Sequence, residues 1–137
     1  MEFSAQSGQH GVVLDSKAPL GDGKGITPKE SLLMGVAGCT AMDVAALMRK
    51  YKQEMKLFEV SAEADVLAGK HPQVFSEIKL VFRVEGNIEK EKLLEAIRLS
   101  QTQYCGVSAM ISKAVPITYK VFVNGGAVGE GKSHFDF

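Results

Sequence analysis

The sequence predicts an α+β protein built from a single domain, residues 1–137, and two kinds of pattern support this fold class. Several short segments alternate apolar and polar residues with the period of two that is typical of half-buried strands. Longer segments carry helix signals, one with apolar residues at helical spacing and one that is apolar nearly all round. The predicted order is hairpin, long helix, two strands, helix, short helix and strand, with no internal repeat, which is an α+β order.

The first predicted element is a β-hairpin. Phe3 and Ala5 lie on one arm, residues 9–15 form the other, and the pair Ser7-Gly8 separates them as a turn. The following residues, 16–26, contain a proline and three glycines and therefore predict an irregular loop. These glycines lack the rest of a phosphate-binding pattern, so we expect no nucleotide site.

A long helix is predicted over residues 28–52. Thr27 is a good N-cap, Pro28 suits the first helical turn, and Glu30 completes a capping box. From residue 32 to residue 48 only Asp43 is charged, so we expect this thin helix to be buried on more than one side, against a sheet and another helix of the same or a second subunit. The methionines are expected to fill the core, namely Met34, Met42, Met48 and Met110.

Two strands are predicted after the long helix. Residues 60–66 alternate small apolar and polar side chains, and residues 75–85 alternate more clearly, with a turn at residues 69–72 between them. The alternation indicates an antiparallel pair with one face in water.

The last third of the chain predicts two helices and a strand. Residues 88–104 form an amphipathic pattern, residues 107–114 suit a short helix after a turn at Gly106, and residues 117–123 alternate as a strand. Residues 129–137 carry no clear pattern. The apolar face of the first of these helices is expected to consist of Leu93, Leu94, Ile97 and Tyr104.

Composition excludes several classes of function. The 16 basic and 16 acidic residues balance and are spread along the chain, so there is no basic stripe for nucleic acid. The N-terminal residues lack the pattern of a signal peptide, and no uninterrupted apolar run approaches the ~20 residues that span a bilayer. We therefore expect a cytoplasmic protein without a membrane partner. Because so short a chain buries limited apolar surface, dimerisation is also expected to help it.

The only two cysteines are the principal candidates for chemistry. Cys39 lies about three turns into the long helix, beyond the reach of the helix dipole, and Gly35 leaves room beside it. Asp43 would oppose a thiolate at Cys39 if it lay close. Cys105 falls at a helix start, where free amides favour a thiolate. A redox pair and two buried, inert cysteines both remain open on this basis.

Metal and cofactor sites are not expected from the sequence. The three histidines lie in different segments, and neither they nor the cysteines follow a zinc-binding spacing. We therefore predict no metal and no cofactor.

Three segments together resemble the OsmC/Ohr family, and in particular its small OsmC-like, YhfA-type branch. They are Pro28 to Asp43, which contains Gly38-Cys39-Thr40, the pair Tyr104-Cys105, and the strand 117–123; the turn His71-Pro72 lies between the first segment and the second. The resemblance implies an OsmC-like fold, in which antiparallel sheets wrap around long central helices in an intertwined homodimer with active sites at the interface.

The same resemblance implies a thiol-dependent peroxidase. Cys39 would attack an organic hydroperoxide and become a sulfenic acid, Cys105 would close a disulfide, and a thiol reductant would restore both. Glu30 is the candidate catalytic carboxylate, although its position in the capping box favours a structural role.

The chain departs from the family pattern at two points, which keeps a second function open. Characterised peroxidases of the family place a glutamate directly after the motif proline, where this chain has Lys29, and pair it with an arginine from the N-terminal hairpin. No arginine precedes Arg49 here. The alternative function is a non-catalytic or weakly catalytic dimeric protein that binds a small apolar ligand in the interface pocket.

Overall fold

The computed structural model describes all 137 residues, and they form two compact units. The first unit is Met1–Met34 and the second is Gly35–Phe137. Helix α1 (Pro28–Lys50) begins in the first unit and continues into the second. That residues 1–137 form one domain stays a prediction.

The first unit begins with the predicted hairpin. Strands β1 (Glu2–Ser7) and β2 (His10–Asp15) pair antiparallel, and the second arm ends at Asp15 as expected. Residues 16–26 form the predicted irregular loop, which returns to β2 because the amide of Asp15 donates to the carbonyl of Ile26 over 3.0 Å. The hairpin and the loop are both confirmed.

The carboxylate of Asp15 organises this loop. Asp15 is 2% exposed, and it accepts hydrogen bonds from the backbone amides of Lys24 at 3.0 Å, Ser16 at 2.7 Å and Asp22 at 3.2 Å. These amides, that of Lys24 most strongly, lower the pKa of Asp15 to about 2. A side chain at Gly21 would collide with the same carboxylate, so the loop requires glycine there.

Helix α1 starts with the predicted capping box. The hydroxyl of Thr27 accepts from the amide of Glu30 at 3.3 Å, and the Glu30 carboxylate accepts from the amide of Thr27 at 2.8 Å. Glu30 also pairs with Lys17 at 3.2 Å. The amide of Thr27 is the main reason that the pKa of Glu30 lies below its usual value.

The second unit contains a four-stranded mixed sheet. Its strands are β3 (Leu57–Val66), β4 (Phe75–Glu85), β5 (Ile117–Val123) and β6 (Gly126–Lys132), in that spatial order. The outer pairs are antiparallel, whereas β4 and β5 are parallel. The parallel pair follows from the helical crossover between them, because parallel neighbours need a long connection.

Strand β4 supplies much of the core, as its alternation predicted. From Ile78 onward its inward side chains are buried, and its charged residues Lys79, Arg83 and Glu85 are exposed. The ring of Phe82 meets that of Tyr119 edge to face at 6.0 Å. The fully or almost fully buried residues of β4 are Ile78, Leu80, Phe82 and Val84.

The helix predicted over residues 88–104 is wrong in its last turn. Regular helix α2 (Lys90–Leu99) is followed by a π-helical turn over Ser100–Tyr104, in which the amide of Cys105 donates to the carbonyl of Ser100 at 2.9 Å. The wider turn displaces Tyr104 from the apolar face, and Tyr104 is 56% exposed rather than buried. Helix α3 (Gly106–Ile111) follows and is shorter than the predicted residues 107–114.

The sequence does not predict strand β6, because this strand is rich in glycine and therefore has no clear alternation of apolar and polar side chains. Gly129 and Gly131 occupy positions where side chains would mark a strand. A Cβ at Gly129 would lie 2.6 Å from Leu94, so the glycine lets α2 pack directly on β6.

The prediction that α1 is buried on more than one side is wrong for the single chain. Its fully buried residues follow one stripe at a spacing of four, namely Val36, Thr40, Val44 and Met48. Met42 is 76% exposed and Met34 is 58% exposed. Within the single chain, the core placement predicted for these two and for Met110, which is 67% exposed, is wrong as well. A single chain covers only one side of this helix.

Helix α1 also meets the length and composition of a membrane span. An 18-residue window within it has a mean hydropathy of 1.6, and 22% of that window is buried in the chain. The helix therefore exposes an apolar surface. The search for an uninterrupted run of apolar residues did not detect it, because polar residues interrupt the helix sequence.

Candidate functional site

The structure brings the two cysteines together. Cys39 lies in the middle of α1, Cys105 is the residue before α3, and both are free thiols. Asp43 follows Cys39 by one helical turn, which places both on one face of α1. The two sulfurs and a carboxylate oxygen of Asp43 all lie within 4.8 Å of one another. This cluster is called the thiol site below.

Cys105 is the buried member of the pair. Its side chain is fully inaccessible, and its sulfur accepts hydrogen bonds from the amide of Ser108 at 3.3 Å and from the hydroxyl of Thr40 at 3.6 Å. Cys105 is thus the N-cap of α3, with sulfur in the role that a serine or aspartate oxygen usually fills. The predicted position at a helix start is confirmed.

Cys39 is partly exposed and its thiol is weakly acidic. Burial raises the pKa of Cys39, and so do the Cys105 thiol and the negative charge of Asp43. The backbone amide of Val107 acts in the opposite direction as a hydrogen-bond donor. The effect that the sequence predicted for a nearby Asp43 is therefore present, and the surroundings of Cys39 favour the neutral thiol on balance.

A series of hydrogen bonds between buried polar side chains leads to the sulfur of Cys105. The hydroxyl of Ser133 donates to the Gln101 side-chain oxygen at 2.6 Å, and the Gln101 amide donates to Thr40 at 2.8 Å. Thr40 in turn donates to the sulfur of Cys105. Because every member is buried and paired, the orientation of this sulfur is well fixed.

Asp43 is held by the π-helical turn. The hydroxyl of Ser100 donates to one carboxylate oxygen of Asp43 at 2.9 Å. The turn therefore supplies a hydrogen-bond donor to Asp43 through Ser100 and another to Thr40 through Gln101, and Cys105 follows directly after the turn. A π-helical turn is often found at a functional site.

The residues that support the sulfurs were not identified from the sequence. A signal existed for two of them, since Ser100 and Gln101 follow Leu93 and Ile97 at helical spacing and are polar residues on an otherwise apolar face. Buried polar residues in such positions are usually hydrogen-bonded to one another. Thr40 and Ser133 offered no comparable signal.

The other predicted candidate, Glu30, lies in the first unit and forms the helix cap described above. Its catalytic role stays a prediction. The histidines occupy separate segments, with His10 in β2, His71 in the turn before β4, and His134 beside Asp136 at 3.0 Å.

The fold and the thiol site define an α+β protein with two free cysteines close together, one of them in the middle of a long apolar helix. A family model described as OsmC-like protein matches residues 21–120, and the chain belongs to this family. Protein YhfA of Escherichia coli strain K12 is 33% identical over 111 residues, which cover 80% of each chain. The family resemblance drawn from the sequence is confirmed.

Solved structures agree on the fold. The OsmC like protein from Mycoplasma pneumoniae has a TM-score of 0.78 and 17% identity, with 89% of this chain and 88% of that chain covered. The organic hydroperoxide resistance protein OhrB of Bacillus subtilis has a TM-score of 0.60 and 14% identity, with 89% and 98% covered. The predicted OsmC-like fold is thereby confirmed, and proteins of this family are generally dimeric.

Proposed function

We propose that the protein is a cysteine-based peroxidase that reduces organic hydroperoxides and so contributes to defence against oxidative stress. The observation that carries the proposal is the convergence of a partly exposed and a buried sulfur within 4.8 Å. A relative of the same fold, OhrB of Bacillus subtilis, is named an organic hydroperoxide resistance protein. The family and the site therefore point to the same chemistry.

The proposed reaction uses the two sulfurs in sequence. The Cys39 thiolate attacks the terminal oxygen of ROOH, the O–O bond breaks, and the products are Cys39 sulfenic acid and, after protonation, ROH. The Cys105 thiolate then attacks the sulfenic sulfur, a disulfide forms, and hydroxide leaves as water. Two equivalents of an external thiol reduce the disulfide and are themselves oxidised to a disulfide. Cys39 is assigned the first step because it is the more exposed sulfur.

The electrostatics of the site predict how the rate depends on pH. The reactive form of Cys39 is the thiolate, and the pKa of Cys39 lies above its usual value. The first step is therefore slow near neutral pH and accelerates as the pH rises. The apolar residues of α1 favour an organic hydroperoxide over hydrogen peroxide as the substrate.

A direct assay tests this proposal. Reduced protein is mixed with cumene hydroperoxide and dithiothreitol, and peroxide loss is followed. We expect Cys39→Ser to lower the rate at least about 100-fold, as removal of a nucleophile does. Cys105→Ser should instead accumulate the sulfenic acid, which dimedone traps at Cys39. In the wild-type protein one equivalent of peroxide should form the disulfide, which lowers the protein mass by that of two hydrogens.

The paired serine variants act as controls for each other, since each removes one sulfur from the same site. Equal peroxide loss in the wild-type protein and in Cys39→Ser would overturn the proposal. So would a wild-type protein that keeps two free thiols after treatment with peroxide.

We also propose that the chain is a homodimer whose second subunit, rather than a membrane, covers the apolar surface of α1, as expected of a cytoplasmic protein. The exposed side chains of Leu32, Met34 and Met42 support this, because apolar patches of this kind mark interaction surfaces. Light scattering of the wild-type protein should give the mass of two chains. Met42→Asp should shift it toward one chain, whereas Lys90→Asp, a charge change at the exposed start of α2, should not.

A second candidate function is a weakly catalytic dimer that binds a small apolar ligand. The raised pKa of Cys39 and the presence of Lys29 at the usual glutamate position favour it. This alternative expects no turnover of cumene hydroperoxide in the wild-type protein, together with saturable binding of an apolar fluorescent probe.

The family match supports treating residues 1–137 as one OsmC-like domain. The matched residues, 21–120, extend across the division between the two compact units.

A further inference from the structure

The thiol site has the composition and the spacing of a metal site. Two sulfurs and one carboxylate oxygen lie within 4.8 Å of one another. Ligand atoms at the usual Zn²⁺ distances of 2.0–2.3 Å stand about 3.5 Å apart in a tetrahedral arrangement. The three groups therefore need to approach one another by only about 1 Å. We propose that the reduced protein binds one Zn²⁺-class cation through Cys39, Asp43 and Cys105.

The donor set selects the class of metal. Thiolates prefer soft or borderline cations such as Zn²⁺ and Cd²⁺, whereas Ca²⁺ and Mg²⁺ require mostly oxygen ligands. Three protein ligands leave a fourth tetrahedral position for water or a small molecule. The site is thus an open one rather than a closed structural one.

The ligands are already oriented by surrounding groups. Ser100 holds one oxygen of Asp43, and Thr40 together with the amide of Ser108 holds the sulfur of Cys105. Hydrogen bonds of this kind, made to the ligands rather than to the metal, fix the geometry of protein metal sites. The cost of ordering the ligands on binding is therefore small.

The residue that binds the Cys105 sulfur also carries an unpartnered polar group. The hydroxyl of Ser108 is buried without a hydrogen-bond partner, whereas the amide of the same residue donates to the Cys105 sulfur.

The sequence predicted no metal site, because the cysteines and histidines do not follow a zinc-binding spacing along the chain. Cys39 and Asp43 are one turn apart on a helix, but the third ligand comes from a segment 66 residues later than Cys39. Binding needs only reduced sulfurs, so the inference does not depend on peroxide reduction.

The test uses the full-length protein, reduced with a phosphine and stripped of metal by a chelator. Zn²⁺ is titrated in competition with a chromophoric chelator, and Co²⁺ is added separately as a spectroscopic probe. We expect one Zn²⁺ per chain, together with a sulfur-to-cobalt charge-transfer band. Both signals should vanish after the thiols are alkylated with N-ethylmaleimide.

Variants identify the ligands. Asp43→Asn should weaken Zn²⁺ binding at least about tenfold, and Cys39→Ser or Cys105→Ser should weaken it further. The matched control Glu59→Gln removes an exposed carboxylate from β3 and should leave the affinity unchanged. The inference is overturned if the reduced wild-type protein shows no stoichiometric binding, or if Asp43→Asn binds as tightly as Glu59→Gln. The cobalt spectrum of the wild-type protein decides the matter even if a variant does not fold.

Discussion

Asp15 and Asp43 are two carboxylates in very different surroundings. Asp15, in the first unit, accepts hydrogen bonds from three backbone amides, and its pKa is lowered to about 2. Asp43, in the second unit, accepts one hydrogen bond from Ser100 and lies beside two sulfurs. One carboxylate is surrounded by donors, whereas the other shares its site with two groups that become anionic when they ionise.

This difference separates a structural role from a chemical one. A carboxylate that binds several amides of its own loop stabilises that loop and has little capacity left for a ligand. A carboxylate with a single donor beside two sulfurs raises the pKa of the exposed one, Cys39, and is available to bind a cation. The hydrogen bonds, rather than the residue type, distinguish the two roles.

The largest effect on stability is expected from Asp15→Asn. The amide group would place its own N–H against amide donors, so we expect the Tm at neutral pH to fall by roughly 5 °C or more. Because the pKa of Asp15 is lower folded than unfolded, its contribution is complete above about pH 4 and is lost as the pH falls through about 2. Thermal unfolding of the variant and the wild-type protein between pH 7 and pH 2 measures this.

The difference in Tm between Asp15→Asn and the wild-type protein should therefore become smaller as the pH falls toward 2. Asp22→Asn removes an exposed carboxylate from the same loop and should leave the Tm nearly unchanged. A constant difference between Asp15→Asn and the wild-type protein across the whole pH range would contradict this account.

A smaller effect, on reactivity, is expected from Asp43→Asn. Removing a negative charge within 4.8 Å of the Cys39 sulfur should lower the pKa of Cys39 and increase thiolate at neutral pH. Two charges ~4 Å apart in water interact by about 1 kcal/mol, so alkylation of Cys39 by iodoacetamide should become about fivefold faster. The rate is followed by mass spectrometry across a pH series in the presence of a chelator.

Glu59→Gln again serves as the matched control and should follow the wild-type curve. If Asp43→Asn followed the same curve, Asp43 would not act on Cys39. The chemical role assigned to Asp43, in contrast to the structural role of Asp15, would then be wrong.

The sequence predicted the local elements well where one pattern dominated. The capping box at Thr27 and the alternation of β4 each reflect interactions between near neighbours in the chain, so both could be read directly. The π-helical turn and β6 could not, since the first differs from a regular helix by a single residue and the second carries glycines instead of alternating side chains. The exposure of Met42 depends on what covers α1, which periodicity does not specify.

The candidate site was predicted only in part. Both sulfurs were identified because cysteine is rare in this chain and its reactivity is intrinsic. Their convergence came from family resemblance, since no rule relates residues so far apart in sequence. The buried hydrogen bonds of Gln101 connect α1, the π-helical turn and the residues after β6, and they exist only once these segments meet.

The π-helical turn determines the direction in which the residues after it point around the helix axis. One residue fewer between Ser100 and Cys105 would make the turn an ordinary one and rotate later residues by about 100° around the axis. Cys105 would then be carried away from Cys39. The number of residues in this short segment is consequently as important for the thiol site as the cysteines themselves. In a relative that has both cysteines but lacks one residue of this segment, the two sulfurs should no longer lie close together.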